Sequence, residues 1–215
     1  MISVILLMGG VGSRMNMNQN KVLLPLNSKP IFMHSYNKFK SNNLEIICVI
    51  NSKDEDQVRK LVDNDTIITY GGATRQESVY NGLLKCTGDY VLIHDAARPL
   101  ISNELIKKLI DKSRFNKPIL TYFKSKNTVK DISCGLKTLN RDNIIFAATP
   151  QCASLEDFIN CHNEAKKENF LATDDISLIE KYMDKEVLLV ESNEENFKIT
   201  TQLDYELAKL IVKEH

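Results

Sequence analysis

The chain lacks an excess of charge of either sign and any long hydrophobic run. Its 215 residues contain 28 Lys and Arg and 28 Asp and Glu, so the formal net charge at pH 7 is zero. A neutral chain has no global field that would attract nucleic acid or an anionic membrane, and we expect neither as a partner. The longest apolar runs, such as residues 2–8, are far shorter than a membrane span. A charged N-terminal stretch of the kind that opens a signal peptide is also lacking.

Paired cysteines and zinc-ligand spacings are absent as well. The five cysteines are scattered and form no C-x-x-C pair, and the four histidines show no zinc-ligand spacing. An odd number of cysteines without a pattern is typical of reduced thiols in the cytoplasm, and not of a disulfide framework. We therefore expect a cytoplasmic protein.

Apolar runs alternate with segments of helical periodicity along the chain. The predicted strands are residues 3–7, 45–50, 66–70, 90–94, 119–123 and 187–190. Most are continuous runs rich in Val, Ile and Leu, as expected for strands covered on both faces. The alternation predicts one domain, residues 1–215, of the α/β class with a mainly parallel sheet.

Helix-start signals lie between the predicted strands. Pro30 suits the first turn of a helix, and Ser52/Glu55 and Thr74/Glu77 have the spacing of capping boxes. Further helices are predicted to start near Ser102, Ser154 and Thr173. The last predicted helix carries Leu203, Leu207, Leu210 and Ile211.

A glycine-rich segment follows the first predicted strand. It contains Gly9, Gly10 and Gly12 and, a few residues later, the cations Arg14 and Lys21. Glycines after a strand allow backbone N–H groups to close around an anion, because no Cβ blocks the approach. The two cations indicate that the anion carries several charges. The segment therefore predicts a site for a nucleoside triphosphate, with chemistry at its phosphates.

Two common phosphate motifs do not match this segment. No glycine precedes a Lys-Ser or Lys-Thr pair at P-loop spacing, and Met15 stands where a dinucleotide-binding fingerprint has its third glycine. For this segment taken alone, a surface turn with incidental charges stays open as the alternative.

Two further loops should meet the glycine-rich segment, because ligands of an open parallel sheet bind at the carboxyl ends of its strands. Residues 71–78, GGATRQES, join a strand to a capped helix. This sequence is equally compatible with a plain turn and with a ligand-binding loop. Residues 94–99, HDAARP, place Asp95 at the end of an apolar strand. A carboxylate beside a triphosphate would repel it unless a divalent cation lay between them. Asp95 is therefore a candidate Mg²⁺ ligand, with a cap or turn residue as the alternative.

Residues 124–141 interrupt the alternation, since they are polar and show no helical stripe. Residues 127–132 and 136–139 could form short strands around a turn at Cys134 and Gly135. A hairpin with so little apolar surface would be marginal alone, so we expect it to project from the domain and to be covered by a partner chain. A disordered loop is the alternative.

Six motifs together indicate a family. GGVGSRM, GGATRQESVYNGL, HDAARP, TPQ, TDD and FKIT follow one another along the chain. In order and approximate spacing they resemble the 2-C-methyl-D-erythritol 4-phosphate cytidylyltransferases, and the resemblance covers nearly the whole chain. It implies a Rossmann-like nucleotidyltransferase fold, with a twisted sheet flanked by helices. It also implies a homodimer formed through a protruding β-arm at about residues 124–146.

The resemblance implies an activity as well. The family transfers a cytidylyl group from CTP to 2-C-methyl-D-erythritol 4-phosphate, a phosphorylated sugar alcohol. The products are 4-diphosphocytidyl-2-C-methyl-D-erythritol and pyrophosphate, in the non-mevalonate isoprenoid pathway. The implied cofactor is Mg²⁺ or another divalent cation.

Residue roles follow from the same resemblance, position by position. Arg14 and Lys21 match the catalytic residues that stabilise the transition state. The implied nucleotide contacts are Gly9, Gly10, Gly12, Gly72, Ala73, Ser78, Asp95 and Ala96, with Asp95 also the metal ligand. The residues implied to position the phosphorylated alcohol are Arg141, Lys198, Thr128, Thr149 and Thr173.

Several positions depart from the family pattern. Met8 and Gly9 replace the usual opening alanines, and Asn20 replaces the proline that commonly precedes the catalytic lysine. Asn127 and Ala148 also differ from the usual residues. The KITT stretch at 198–201 resembles the related ribitol-5-phosphate cytidylyltransferases, whereas HDAARP and TDD follow the methylerythritol type. Ribitol 5-phosphate thus stays open as the substrate, and so does a nucleotide-sugar pyrophosphorylase that uses UTP or GTP.

The implied reaction is a direct displacement at the α-phosphorus of CTP. Both reactants are anions, so fixed cations must offset their repulsion and the charge that grows in the transition state. The attacking phosphate is already ionised near neutral pH, so no general base is needed. This hypothesis agrees with the lack of a convincing histidine base in the motifs.

Overall fold

The computed structural model describes residues 1–9 and 20–214. The strands, in chain order, are β1 (Ile2–Leu7), β2 (Pro25–Leu26), β3 (Lys29–Pro30), β4 (Glu45–Ile50), β5 (Ile67–Tyr70), β6 (Tyr90–Asp95), β7 (Ile119–Lys124), β8 (Lys130–Asp131), β9 (Lys137–Thr138), β10 (Ile145–Ser154) and β11 (Leu188–Glu191). The α-helices are α1 (Ile31–Ser41), α2 (Glu55–Arg59), α3 (Arg75–Leu83), α4 (Asn103–Ser113), α5 (Leu155–Lys167), α6 (Ile176–Tyr182) and α7 (Gln202–Glu214).

A seven-stranded sheet forms the centre of the fold, in the order β11-β7-β10-β6-β1-β4-β5. The pairs β1/β4, β1/β6, β4/β5 and β7/β11 are parallel, whereas β10 runs antiparallel to both β6 and β7. This arrangement confirms the predicted α/β class and mainly parallel sheet. All six predicted strands are confirmed, and their ends differ from the predicted ones by one residue at most.

Helices cover both faces of the sheet because successive strand residues point to opposite sides. On one face, Val4 and Leu6 of β1 belong to an apolar cluster with aromatic residues of α1 and leucines of α4. On the other face, Ile5 lies in a cluster with Val79 of α3, Phe158 of α5 and residues of α6. The sheet is therefore buried on both faces, as the continuous apolar runs predict.

The sequence did not predict strand β10, which lies between β6 and β7. Its sequence, IFAATPQCAS, contains a proline, and proline in a run argues against a central strand. The register between β10 and β7 shifts between Ala147 and Gln151, around the cis peptide bond Thr149–Pro150. This irregularity accommodates the proline that cannot donate to the ladder.

Most of the predicted helix starts are confirmed. Thr74 and Glu77 form a complete capping box at α3, while the hydroxyls of Ser102 and Ser154 cap α4 and α5. Pro30 lies immediately before α1.

Two predicted helix starts are wrong. The Ser52/Glu55 capping box is not formed, since Ser52–Asp54 is a 3-10 turn and α2 begins only at Glu55. The helix predicted from Thr173 begins at Ile176, because the carboxylate of Asp174 accepts from the N–H of Ser177 at 2.9 Å and so satisfies the first turn.

The polar interruption forms the predicted hairpin, shorter than expected. Strands β8 and β9 pair in an antiparallel manner, and Gly135 in the connecting turn has φ of 99°, a value that favours glycine. Ile132 and Leu136 near the tip are 79% and 78% exposed. We refer to residues 124–146 as the arm.

The described part of α7 leaves three leucines largely exposed. Leu203, Leu207 and Leu210 are 78%, 47% and 60% exposed, whereas Tyr205 and Ala208 pack against Leu26 and Ile199. The buried face of this helix is thus made by Tyr205, Ala208, Ile211 and Val212, and not by the three leucines. Over residues 1–9 and 20–214, no helix combines the length and apolar character needed to cross a bilayer.

Candidate active site

The predicted loops follow the carboxyl ends of β1, β5 and β6, which lie in one sheet. The N–H of Ala96, just after β6, donates to the carbonyl of Leu7 at 3.1 Å and joins two of these ends. Ala96 is itself fully buried. Gly9 is half-buried, and a Cβ there would meet only ordinary contact with Asn51. Packing therefore does not account for this glycine.

The segment expected to surround the triphosphate falls largely outside the described residues. Gly10, Gly12 and Arg14 belong to it, so their roles stay predictions. Lys21, at the far end of the segment, is described.

Asp95 lies among three cationic side chains. Its Oδ2 accepts a hydrogen bond from Lys198 Nζ at 2.8 Å, Arg75 Nε lies 3.7 Å from Oδ1, and Arg98 Nε lies 3.9 Å from Oδ2. Burial alone would raise the pKa of Asp95, but Lys198, Arg75 and Arg98 outweigh it and hold the pKa well below its usual range. The carboxylate is therefore ionised at neutral pH, as a metal ligand must be.

Lys21 is the first residue of a short 3-10 turn, Lys21–Leu23, and Asn20 fixes this turn. The Asn20 amide donates to the carbonyl of Met8 at 2.7 Å and to Asp54 Oδ2 at 2.8 Å, while its oxygen accepts from Val22 N–H. Proline could make none of these side-chain bonds. The departure from the family pattern at Asn20 therefore has a structural role, since it ties the lysine-bearing turn to β1 and to Asp54.

The segment around Lys198 brings the two predicted lysines together. Lys21 Nζ donates to the carbonyl of Ile199 at 2.8 Å, and Lys198, the preceding residue, donates to Asp95. The N–H of Ile199 in turn donates to the carbonyl of Ala97 at 2.8 Å, next to the Asp95 loop. Lys21, Asp95 and Lys198 thus converge on one edge of the sheet.

Thr149 connects the antiparallel strand β10 to Asp95 through hydrogen bonds. His94 Nε2 lies 3.1 Å from the carbonyl of Arg98, which can only accept, so Nε2 carries the proton and Nδ1 is an acceptor. The Thr149 hydroxyl, 3.2 Å from Nδ1, then donates to His94 and accepts the N–H of Asp95 at 3.1 Å. Burial lowers the pKa of His94 to about 4, so the imidazole is neutral. The Thr149 hydroxyl therefore positions the Asp95 backbone from within the protein.

Replacing Thr149 by Val should lower kcat about tenfold and reduce the melting temperature, because two buried groups lose their partner at roughly 1–3 kcal/mol each. Thr149→Ser is the matched control, since it keeps the hydroxyl and should stay close to the parent. Steady-state kinetics and thermal denaturation measure both effects. Equal activity of the Val and Ser variants would contradict the positioning role.

The loop between β5 and α3 is held in shape by two side chains of α3. Glu77 accepts from the N–H groups of Ala73 and Thr74 at 2.6 and 3.2 Å, and Ser78 Oγ accepts from Gly72 N–H at 3.0 Å. A Cβ on Gly72 would lie 2.4 Å from Glu77 Cβ, so only glycine allows this approach. Gly72 and Ala73 are exposed, and they leave a small, backbone-rich surface of the kind that a flat base can contact.

Three of the predicted substrate-positioning residues lie at the surface of the protein. Thr128, Arg141 and Thr173 are exposed, and within residues 1–9 and 20–214 none of them has a hydrogen bond or ion pair to Asp95 or Lys198. Arg141 Nη1 donates to the carbonyl of Lys126 at 3.2 Å at the base of the arm. Arg141, Lys124 and Lys126 line a pocket of about 630 Å³ there.

Sequence reasoning missed the residues that support Asp95. Arg75 makes a two-pronged pair with Asp175 at 2.8 and 2.7 Å, and Arg98 Nη1 donates to the carbonyl of Asn196 at 2.9 Å. Asn196 donates to the carbonyl of Thr149 at 2.9 Å. Arg75 and Arg98 lie inside the motifs GGATRQESVYNGL and HDAARP, so the sequence contained an indication of their importance. Nothing in the sequence indicated a role for Asn196.

Asp95 is the described residue that could hold a magnesium ion if phosphates of a ligand supplied further oxygen atoms. Among the described residues, no group of three His, Cys, Asp or Glu side chains could hold a metal alone. Magnesium commonly binds through one or two carboxylates together with substrate phosphates and waters. Oδ1 of Asp95 accepts no hydrogen bond from the described side chains, so it has lone pairs available for such an ion.

Comparison with known proteins agrees with this geometry. The family model described as "IspD: 2-C-methyl-D-erythritol 4-phosphate cytidylyltransferase" matches residues 2–214. The 2-C-methyl-D-erythritol 4-phosphate cytidylyltransferase of Shouchella clausii is 37% identical over 221 residues, covering 98% of this chain and 96% of that protein. The protein of the same name from Aquifex aeolicus is 37% identical over 214 residues, covering 99% of this chain and 98% of that protein.

Solved structures agree as well. The crystal structure of the 4-diphosphocytidyl-2C-methyl-D-erythritol synthase from Anaerococcus prevotii superposes with a TM-score of 0.86 at 30% identity, covering 99% of this chain and 98% of that one. The chain therefore belongs to the 2-C-methyl-D-erythritol 4-phosphate cytidylyltransferase family.

Proposed function

We propose that this protein transfers the cytidylyl group of CTP to 2-C-methyl-D-erythritol 4-phosphate and releases pyrophosphate. The observation that carries the proposal is the convergence of Lys21, Asp95 and Lys198 at the carboxyl edge of the sheet, in a chain of this family. Several cations at an edge that also holds an ionised carboxylate suit a reaction between two phosphate-bearing anions.

The residues of this chain act by holding charge and orientation. Lys21 would stabilise the negative charge that grows on the phosphates as the bond to pyrophosphate breaks. Without a bound substrate, Lys198 forms an ion pair with Asp95. The phosphate of the incoming alcohol would compete with Asp95 for this lysine. Asp95 would hold Mg²⁺, and the ion would supply positive charge against the repulsion between the two reactants. Fixed cations of this kind stabilise the transition state more than the ground state.

Within residues 1–9 and 20–214 the site provides no histidine base, and the reaction needs none. His94 is buried, its pKa is lowered to about 4 by burial, and both ring nitrogens bond within the protein. A phosphate monoester is already an anion at neutral pH and can attack without losing a proton to the enzyme. Orientation of the two phosphates is then the main remaining contribution of the enzyme to the reaction rate.

The experiment is pyrophosphate release with CTP and Mg²⁺, comparing 2-C-methyl-D-erythritol 4-phosphate with ribitol 5-phosphate. We expect release with the methylerythritol substrate and little with ribitol 5-phosphate. Faster release with ribitol 5-phosphate would overturn the substrate. UTP and GTP in place of CTP test the nucleotide-sugar alternative, and preference for either would overturn the proposal. Omission of Mg²⁺, with EDTA present, tests the metal requirement.

Arg141 and Thr128 of the arm would act on the alcohol phosphate bound to a second copy of the chain, in a homodimer. Two observations support this: Ile132 and Leu136 at the tip are exposed, and Arg141 lines the pocket at the arm base. Arg141 offers a planar guanidinium that can bind a phosphate with two hydrogen bonds.

Hybrid dimers of a Lys21→Ala chain and an Arg141→Ala chain should regain about half of the parent activity, since one of the two symmetry-related sites is then intact. Each variant alone should be nearly inactive. Differently tagged chains allow hybrids to be purified, and a hybrid of two Lys21→Ala chains is the control. No recovery in verified hybrids would place both residues in the same chain's site.

The cytoplasm is the compartment that we propose for this reaction. All five cysteines are free, and three of them, Cys48, Cys152 and Cys161, are buried. Free thiols of this kind persist in a reducing compartment.

A further inference from the structure

A second pocket, of about 610 Å³, lies on the side of α3 that faces α5. Tyr80 of α3, His162 and Lys166 of α5, and Phe170 and Leu171 of the following loop line it. Gly72 of the candidate base surface also borders this pocket, whereas the mechanism proposed above uses none of the side chains just named.

His162 has a buried nitrogen without a partner. The residue is 4% exposed, and no atom of the described residues forms a hydrogen bond with Nε2. Its ring lies against Tyr80, with ring centroids 5.7 Å apart and planes inclined at 32°. Burial, and then the charge of Arg75, lower the pKa of His162 to about 4, so the imidazole is neutral. Buried polar atoms without a partner are rare in folded proteins, and the residue that carries this one lines an open pocket.

The rest of the lining limits the chemistry of a ligand. Tyr80 and Phe170 offer aromatic surfaces, and Leu171 is 68% exposed. Lys166 is exposed and forms no ion pair within the described part of the chain. His162 and Lys166 are four residues apart on α5, so they lie on one face of the helix. The pocket thus combines an apolar slot, one hydrogen-bonding nitrogen and one cation.

We propose that this pocket binds a small planar aromatic acid. Its ring would lie among Tyr80, Phe170 and Leu171, a polar ring substituent would pair with His162 Nε2, and its carboxylate would pair with Lys166. Aromatic rings favour offset or edge contacts with such side chains, and a carboxylate favours an ammonium group.

The pocket is connected to the candidate CTP site by direct contacts. Glu77, which holds the N–H groups of Ala73 and Thr74, also lines the pocket. Gln76 donates to the carbonyl of Phe170 at 3.1 Å and accepts from the N–H of Ala172 at 2.9 Å. A ligand that fixes Phe170 would therefore also fix the start of α3. This coupling rests on the proposed function, and it predicts a lower KM for CTP when the pocket is filled.

The binding test uses 4-hydroxybenzoate as the probe and the imidazole NMR signals of the full-length protein as the readout, without CTP. We expect a saturable shift of the His162 signal in the millimolar range. Binding should weaken about tenfold, equal to 1.4 kcal/mol, for Lys166→Gln and for the uncharged 4-hydroxybenzyl alcohol. Lys167→Gln is the matched control, because Lys167 pairs with Glu164 at 2.6 Å and does not line this pocket. The affinity of the Lys167→Gln protein for 4-hydroxybenzoate should equal that of the parent protein.

Absence of a saturable His162 shift would overturn the site, and so would equal affinity of the Lys166→Gln and parent proteins. The His162→Gln variant identifies which imidazole signal belongs to His162. If the His162→Gln variant folds poorly, the exposed substitution Lys166→Gln still tests the site. Because these measurements contain no CTP, they are independent of the proposed activity. A bound probe that leaves the KM for CTP unchanged would overturn the coupling.

Discussion

Replacing Lys21 by Ala should lower kcat on the order of a hundred- to a thousandfold, the usual cost of losing one preorganised charge at a transition state. Lys21 is half-exposed at the start of a 3-10 turn that Asn20 holds independently of the lysine side chain. The variant should therefore fold normally. Its KM for CTP should change much less than kcat, since the lysine acts on charge that develops only during the reaction.

Two further variants make this test specific. Lys108→Ala removes an exposed lysine of α4, on another part of the molecule, and should leave kcat unchanged. Lys21→Arg keeps the charge but changes its shape and should recover part of the rate. A Lys21→Ala enzyme with nearly the parent kcat would remove this lysine from the transition state.

Asp95→Asn should lower kcat on the order of a thousandfold or more and also reduce stability. Lys198, Arg75 and Arg98 all lie within 3.9 Å of this carboxylate, and the amide would leave them without their common counter-ion. A metal ion would lose its charged ligand at the same time. Steady-state kinetics over a range of Mg²⁺ concentrations and thermal denaturation measure the two effects.

The stability and catalytic effects of Asp95→Asn can be separated with Lys198→Gln. The double variant should recover part of the lost melting temperature, because one uncompensated charge is removed, but none of the activity. Asp111→Asn is the control: Asp111 lies 3.6 Å from Arg114 in an exposed pair of α4, where little change is expected. Full activity of Asp95→Asn at moderate Mg²⁺ would contradict the proposed metal site.

The sheet was predictable because its strands are continuous apolar runs, and local sequence contains that signal. Strand β10 carried the opposite signal, since Thr149 and Pro150 interrupt its apolar character. It is a strand because β6 and β7 pair with its two edges, a contact that no short segment reveals. The missed start of α2 has a similar cause, as Asp54 bonds to Asn20, 34 positions away.

The candidate site was predictable in the parts that form motifs. Lys21, Asp95 and Lys198 were identified from the sequence, and the structure brings them together. Arg75 is different, because its role comes from Asp175, 100 positions away along the chain. Pairings at such separations depend on the completed sheet and not on local patterns. The roles of Gly10, Gly12 and Arg14 stay predictions.

The contacts of Lys198 and Ile199 have a consequence for the order in which the protein matures during synthesis. Lys198 binds Asp95 over 103 positions, and Lys21 binds the carbonyl of Ile199 over 178. A nascent chain can pair β1, β4, β5 and β6 early, yet Asp95 then stands beside Arg75 and Arg98 without Lys198. Translation must pass Ile199 before all three cations of this edge surround Asp95. A pulse-labelled ribosome-bound chain should therefore resist protease across its early strands well before it can bind CTP.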